Sequence, residues 1–260
     1  MTAQLLPVVV AVVNNKGGVG KTTTAVNLSA ALASAERRVL LIDLDSQASA
    51  SLASGVDRTR LLPSSASVLL NGLPVEGAIR ATPVRHLDLI TGSIELANAD
   101  LVLGDEKGRE VVLKQVIKGL RGRYDFVILD CPPNLSLIGI NALVAADALI
   151  VPVVPQFLAV EGLVSLLASV DKVRARLGTR SRVLGILLSM VDAGVKGQAD
   201  VRDQVRAQYR DRVFHTEIAA SAAVATAPAT GKPVLATAPR SRAAEAFRRL
   251  AGEVLQRLEG

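Results

Sequence analysis

V-V-V-A-V-V-N-N-K-G-G-V-G-K-T-T-T, residues 8–24, is the stretch from which the fold is read. A run of β-branched and small apolar residues has the composition of a buried strand. The glycines that follow allow a tight turn, and a Thr/Ala-rich run then opens a helix. A Gly-rich turn between a strand and a helix aims several backbone N–H groups into one concavity, and the helix dipole adds positive potential there. Such a site suits a polyphosphate. Gly17, Gly18, Val19 and Gly20 supply the cradle, with Thr22 and Thr23 at the helix start. Lys21 reaches the β- and γ-phosphates, and the Thr22 hydroxyl binds Mg²⁺.

The loop departs from the usual G-x-x-x-x-G-K-[ST] pattern. Asn15 stands where the first glycine belongs, and a second lysine, Lys16, follows it.

Outward from the loop, short apolar runs alternate with longer helical patterns. This predicts an α/β fold of the P-loop type: a mostly parallel, twisted sheet with helices on both faces. Strands are expected at 8–14, 39–43, near 87–90, and at 125–130, 148–153, 183–190 and 213–218. Helices are expected at 22–34, 110–120, 136–146, 159–177, 200–210 and 242–258, with a small-residue loop over 219–238. No internal repeat or linker composition interrupts the pattern, so residues 1–260 read as a single domain.

Ligands in such sheets sit at the carboxyl ends of strands. Two acidic sites fall there. Asp130 closes the apolar run D-F-V-I-L-D, where an unpartnered carboxylate would be costly. Asp43 and Asp45 follow the strand at 39–43.

Composition narrows the class. Half the residues are apolar, ample for a core. With two Tyr, four Phe and no Trp, an aromatic stacking platform for single-stranded nucleic acid is not expected. The single cysteine, Cys131, rules out a disulfide framework and fits a reducing cytoplasm. No apolar run reaches membrane-spanning length, so no membrane partner is expected. The net charge of +6 is uneven: residues 1–150 are balanced, and the whole excess lies in 151–260. That excess points to an anionic partner.

K-G-G-V-G-K-T-T (16–23) resembles the variant phosphate loop of the ParA/MinD family of ATPases, and further matches run along the chain. Y-D-F-V-I-L-D-C-P-P (124–133) is similar to its metal-binding strand. L-I-V-P-V and A-V-E-G-L (149–163) are similar to its next strand and helix. G-I-L-L-S-M-V-D (185–192), A-P-A-T-G-K-P-V (227–234) and P-R-S-R-A-A-E-A-F (239–247) complete the resemblance, which is nearest to ParA- and Soj-type partition ATPases. It implies ATP and Mg²⁺ as ligands, with Asp130 holding the metal through water and Asp43 supporting its shell. Asp45 orients the attacking water. Lys16 crosses the interface of an ATP-bound homodimer, and Met190 and Pro228 lie near the adenine. It also implies non-specific binding to double-stranded DNA, release by a ParB-like activator, and a cytoplasmic, nucleoid-associated protein segregating a chromosome or plasmid.

The resemblance weakens at the expected DNA footprint. Where the family carries a basic segment before its A-P loop, residues 218–223 read I-A-A-S-A-A, with no arginine. Lys196, Arg202, Arg206, Lys232, Arg240 and Arg242 are the substitute candidates; Arg202 and Arg206, four apart, are expected to share a helix face. A MinD-like regulator at the membrane is the alternative reading, and a ligase on the same sheet is a third. The first requires the apolar stripe Ala243, Phe247, Leu250, Val254 and Leu258 to meet lipid. The second requires a substrate constellation that the sequence does not show.

Overall fold

The computed structural model describes residues 6–259. Among these residues, eight strands form one sheet in the order β3-β4-β2-β5-β1-β6-β7-β8. They are β1 (Val8–Val12), β2 (Val39–Asp43), β3 (Arg80–Ala81), β4 (Leu87–Ile90), β5 (Phe126–Asp130), β6 (Ala148–Val153), β7 (Arg182–Val191) and β8 (Ile218–Ala219). All neighbours pair in parallel except β3 with β4. The helices are α1 (Lys21–Ser34), α2 (Ser49–Ala53), α3 (Ser65–Leu69), α4 (Ala99–Val102), α5 (Val112–Lys118) and α6 (Leu137–Ala145). They continue with α7 (Ala159–Leu177), α8 (Gln198–Tyr209), α9 (Ala222–Thr226), α10 (Val234–Thr237) and α11 (Arg242–Glu259).

Alternation along each central strand sends side chains to opposite faces, and both faces are buried, as a parallel sheet requires. Val9, Ala11, Leu40, Ile42, Val127 and Leu129 pack under α3, α5, α6, α7 and α8. Val10, Val12, Leu41, Ile128 and Ile150 pack under α1, α10 and α11. The apolar stripe of α11 belongs to that second layer: Phe247, Leu250 and Val254 are fully buried. Each such side chain contributes roughly 1.5–3 kcal/mol by leaving water. The stripe that a membrane reading requires is therefore committed to the core.

Two expectations fail near the C-terminal side. The strand expected at 213–218 shrinks to β8 and one isolated bridge between Ile186 and Val213. The backbone between them is drawn away: the amides of His215 and Thr216 donate to the Glu253 carboxylate at 2.8 and 3.0 Å. The Phe214 ring also turns in over Gly185, in the space that a side chain there would occupy. The loop expected at 219–238 instead contains α9, a 3₁₀ turn at Ala227–Thr230 and α10. Alanine's helix propensity prevails over its small size there.

Candidate functional site

Strand register alone assembles the site. Val12, the end of β1, pairs with Asp130, and Asp130 pairs with Asp43 across β5 and β2. The phosphate loop leaves β1 at the place where the chain order turns, with β5 on one side and β6 on the other. This is the crevice in which α/β sheets bind ligands.

The loop is held from several directions. Asn14 donates through Nδ2 to Pro152 O at 2.8 Å, and its Oδ1 accepts from Lys16 N at 2.9 Å. Ser189 on β7 donates to Val19 O at 2.8 Å. Gly18 and Gly20 have φ of +71° and +87°, and a Cβ at Gly17 or Gly18 would meet nothing within 4 Å. That open concavity fits a chain of phosphates. Helix α1 has Gly20 as its N-cap and no side-chain cap, so its first N–H groups are left for a ligand.

Lys21 is buried, and its Nζ donates to Lys16 O at 3.0 Å. Burial lowers its pKa, and nearby Asp130 pushes it back up. Lys16 itself is exposed.

Asp130 is fully buried, and neither carboxylate oxygen has a hydrogen-bond partner among the described residues. Burial and then the charge of Asp43 raise its pKa well above the usual carboxylate range; Thr22 and Lys21 offset part of this. Thr22, the second residue of α1, is the neighbour whose hydroxyl favours the charged form of Asp130. A buried pair of orphaned oxygens beside a hydroxyl at a helix start is a donor set that Mg²⁺ fits, with phosphates and water completing the shell.

Asp43 is spoken for. Its Oδ2 accepts from Ser51 N and Ser51 Oγ at 2.8 and 2.7 Å, and its Oδ1 accepts from Asp45 N at 3.1 Å. Burial pushes it up to about 6 against those bonds. Its place is therefore to brace α2 and the segment that carries Asp45, behind any metal shell. Asp45 is half-buried, with Oδ1 accepting from Gln47 N at 3.0 Å.

Pro228 lines a cavity of about 130 Å³ with Thr22, Thr23, Asn27, Ala53 and Lys232. Met190, with φ of +51°, lies against the phosphate loop: its Cε is 3.6 Å from where a Gly20 Cβ would be. Three residues escaped the sequence reading: Ser189, Ser51 and Gly92. The Gly92 amide donates to Ser51 Oγ at 2.9 Å, and a Cβ there would lie 2.5 Å from Asp45 O. The signal for Gly92 was available, since T-G-S follows β4 at the carboxyl edge.

The basic candidates divide. Arg206 is clasped by Glu217 at 2.7 Å, and Arg202 pairs with Asp203 at 2.9 Å. Their expected shared face is thus largely neutralised. Lys196, Arg240 and Arg242 are exposed.

A phosphate loop on a parallel sheet, with acidic strand ends beside it, defines a P-loop nucleotide hydrolase. Residues 8–183 match a family model described as an AAA domain. The chain is 41% identical over 246 residues to the sporulation initiation inhibitor protein Soj of Bacillus subtilis (strain 168), covering 95% of this chain and 97% of the relative. It is 38% identical over 251 residues to the chromosome partitioning protein ParA of Caulobacter vibrioides (strain NA1000 / CB15N), covering 96% and 94%. A solved structure of cobyrinic acid a,c-diamide synthase from Mycobacterium smegmatis, with bound ADP and magnesium, superposes with a TM-score of 0.86. It is 32% identical, covering 98% of this chain and 96% of that one. The chain belongs to the ParA/Soj group of the ParA/MinD ATPase family. It is an ATPase of the partition type, using ATP and Mg²⁺. No helix among the described residues is long and apolar enough to cross a membrane.

Proposed function

We propose that ATP joins two copies of this protein face to face through their phosphate loops. The pair holds double-stranded DNA without sequence preference, and hydrolysis stimulated by a ParB-like partner releases it. In this reading the protein works in the cytoplasm on the nucleoid, segregating a chromosome or plasmid, and residues 1–260 act as one unit.

The observation that carries the reading is the surface around Lys16. The lysine is exposed at the end of β1, and β6 beside it leads into Phe157, which is 85% exposed, and the exposed Leu158. Asn14 ties the two strand ends together through Pro152. Large exposed apolar side chains and an exposed lysine following the ends of neighbouring strands, on the edge that binds phosphate, suit a second copy closing over the nucleotide.

Within each copy, Lys21 neutralises phosphate charge and the loop amides fix its position. Asp45 orients water for attack, braced by Asp43, while Thr22 and Asp130 hold Mg²⁺. The metal supplies charge neutralisation on the phosphate oxygens. Pairing also gives DNA binding a gate. The exposed Lys196, Arg240 and Arg242 form a weak surface alone, and two copies joined by ATP act together through effective concentration.

The test is binding to random-sequence duplex DNA with ATP, with ADP and without nucleotide, over a salt series. ATP-dependent binding that falls steeply with salt is expected. Equal binding in all three conditions, or none in any, overturns the DNA switch.

A further inference from the structure

Helix α2 is fastened at its middle and just past its end. At its central residue, Ser51 is bonded to Asp43 through its amide and hydroxyl, and Gly92 bonds to the Ser51 hydroxyl. Two residues past its end, Gly55 lies backbone to backbone on Gly231. A Cβ built on Gly55 would stand 2.9 Å from Gly231 O, and one built on Gly231 would stand 2.6 Å from Gly55 Cα. Both glycines are in the left-handed region, with φ of +90° and +64°. Neither position takes a methyl group without a backbone shift.

Gly231 closes the turn that holds Pro228, its N–H donating to Pro228 O at 3.0 Å. The far side of that segment is pinned to α1, where Val234 N donates to Asn27 Oδ1 at 2.8 Å. Asn27 in turn donates to Thr23 O at 2.9 Å, in the first turn of α1. The phosphate-binding helix, the segment 227–234 and α2 are therefore linked in series, and all three line the cavity beside Thr22. The link that lacks any side chain is Gly55 on Gly231.

We infer that this two-glycine contact is a positioning device for hydrolysis: it carries the presence of a nucleobase at the 227–233 turn through α2 to Asp45. This rests on the reading of Pro228 as a base contact. Two features give the contact that effect. The five-residue α2 is short enough to move as one body. Asp45 sits on the same brace, since its amide and Ser51 share the Asp43 carboxylate. A base held at the turn sets the height of Gly231, hence of Gly55, hence the aim of Asp45. Turnover should then depend on the base more than binding does. A contact that serves packing alone would change stability and the fraction of active protein, and would leave the preference between triphosphates untouched.

The experiment compares ATP with ribose 5-triphosphate, which lacks the base, for binding and for turnover. Wild type, Gly231→Ala and Gly55→Ala are all measured. Wild type should turn over the base-free compound roughly tenfold more slowly than ATP at saturation, since sub-ångström aim governs the step. Gly231→Ala should lose roughly tenfold in kcat with ATP, keep its Kd for ATP within about threefold, and no longer distinguish the two compounds in kcat. Gly55→Ala should behave alike. Hydrogen exchange on wild type, which needs no variant to fold, should show 49–55 protected more by ATP than by the base-free compound. Equal binding of the two compounds to wild type removes the base contact at the turn, and the inference with it. Unequal binding, with equal protection of 49–55 or with the wild-type kcat ratio retained in Gly231→Ala, overturns the coupling alone.

Discussion

The Ser189 hydroxyl donates to the carbonyl oxygen of Val19 at 2.8 Å, joining the end of β7 to the middle of the phosphate loop, and both residues are buried. The loop's curvature is therefore held from a neighbouring strand as well as from its own glycines. Ser189→Ala leaves the Val19 carbonyl buried and unpaired, at a cost of about 1–3 kcal/mol. Part of that loss should appear as weaker ATP binding, with Kd rising roughly tenfold for each 1.4 kcal/mol felt at the loop. Nucleotide titration beside chemical denaturation checks this. An unchanged Kd with lowered stability would confine the bond to a packing role.

The two lysines of the loop should separate cleanly. Lys21 is buried and turned back on the Lys16 carbonyl, whereas the Lys16 side chain faces outward. Lys21→Ala should abolish measurable ATP binding, because the phosphates lose their internal cation. Lys16→Ala should bind ATP within a few-fold of wild type yet stay monomeric and hydrolyse little. Calorimetry and sedimentation with ATP distinguish the two; a Lys16→Ala variant that pairs and turns over normally would contradict the cross-interface role.

Gly92→Ala should mimic damage to Asp45 without touching it. The added methyl group would fall 2.5 Å from the Asp45 carbonyl and 2.9 Å from Asp43 Oδ1. Relieving that overlap moves the acidic segment, at about 1–3 kcal/mol of stability, and should lower kcat by roughly tenfold or more. Asp45→Ala should hold ATP and remain paired, and its turnover should fall further. If Gly92→Ala is folded and fully active, Asp45 does not need that brace.

A pH signature should come from Glu253. Burial raises its pKa, but the Thr216 and His215 amides and Arg257 outweigh that, leaving it below the usual value. A depressed carboxylate stabilises the fold above its unfolded pKa of about 4.3, and that stability is lost as pH falls through the folded value. Glu253→Gln should therefore cost about 1–3 kcal/mol at pH 7, and the gap from wild type should close in acid. Urea unfolding of both proteins across that window measures it; a gap independent of pH would assign the effect to shape.

The parallel core was legible because its strands are continuous apolar runs. The spans expected at 39–43, 148–153 and 159–177 coincide with β2, β6 and α7. Periodicity reports burial and nothing else, which is why 213–218 read as a strand. Its apolar residues are buried, but Glu253 takes its amides, and that partner lies 37 or 38 residues further along the chain. The acidic strand ends were legible from the carboxyl-edge rule, and the register places Asp43 and Asp130 side by side. The hydrogen bonds that occupy Asp43 were not, because Ser51 is one small polar residue among several. Likewise, spacing put Arg202 and Arg206 on one helix, but only tertiary structure brings Glu217 against Arg206.

The bond from Val234 to Asn27 spans 207 residues and is buried. A ribosome releasing this chain from its N-terminal end would expose the phosphate loop early, long before the segment that steadies the helix behind it. Domains generally settle as units during synthesis. A nascent chain should thus be unable to retain nucleotide firmly until residue 234 has cleared the exit tunnel. Nucleotide loading would then follow the emergence of that segment and not that of the phosphate loop.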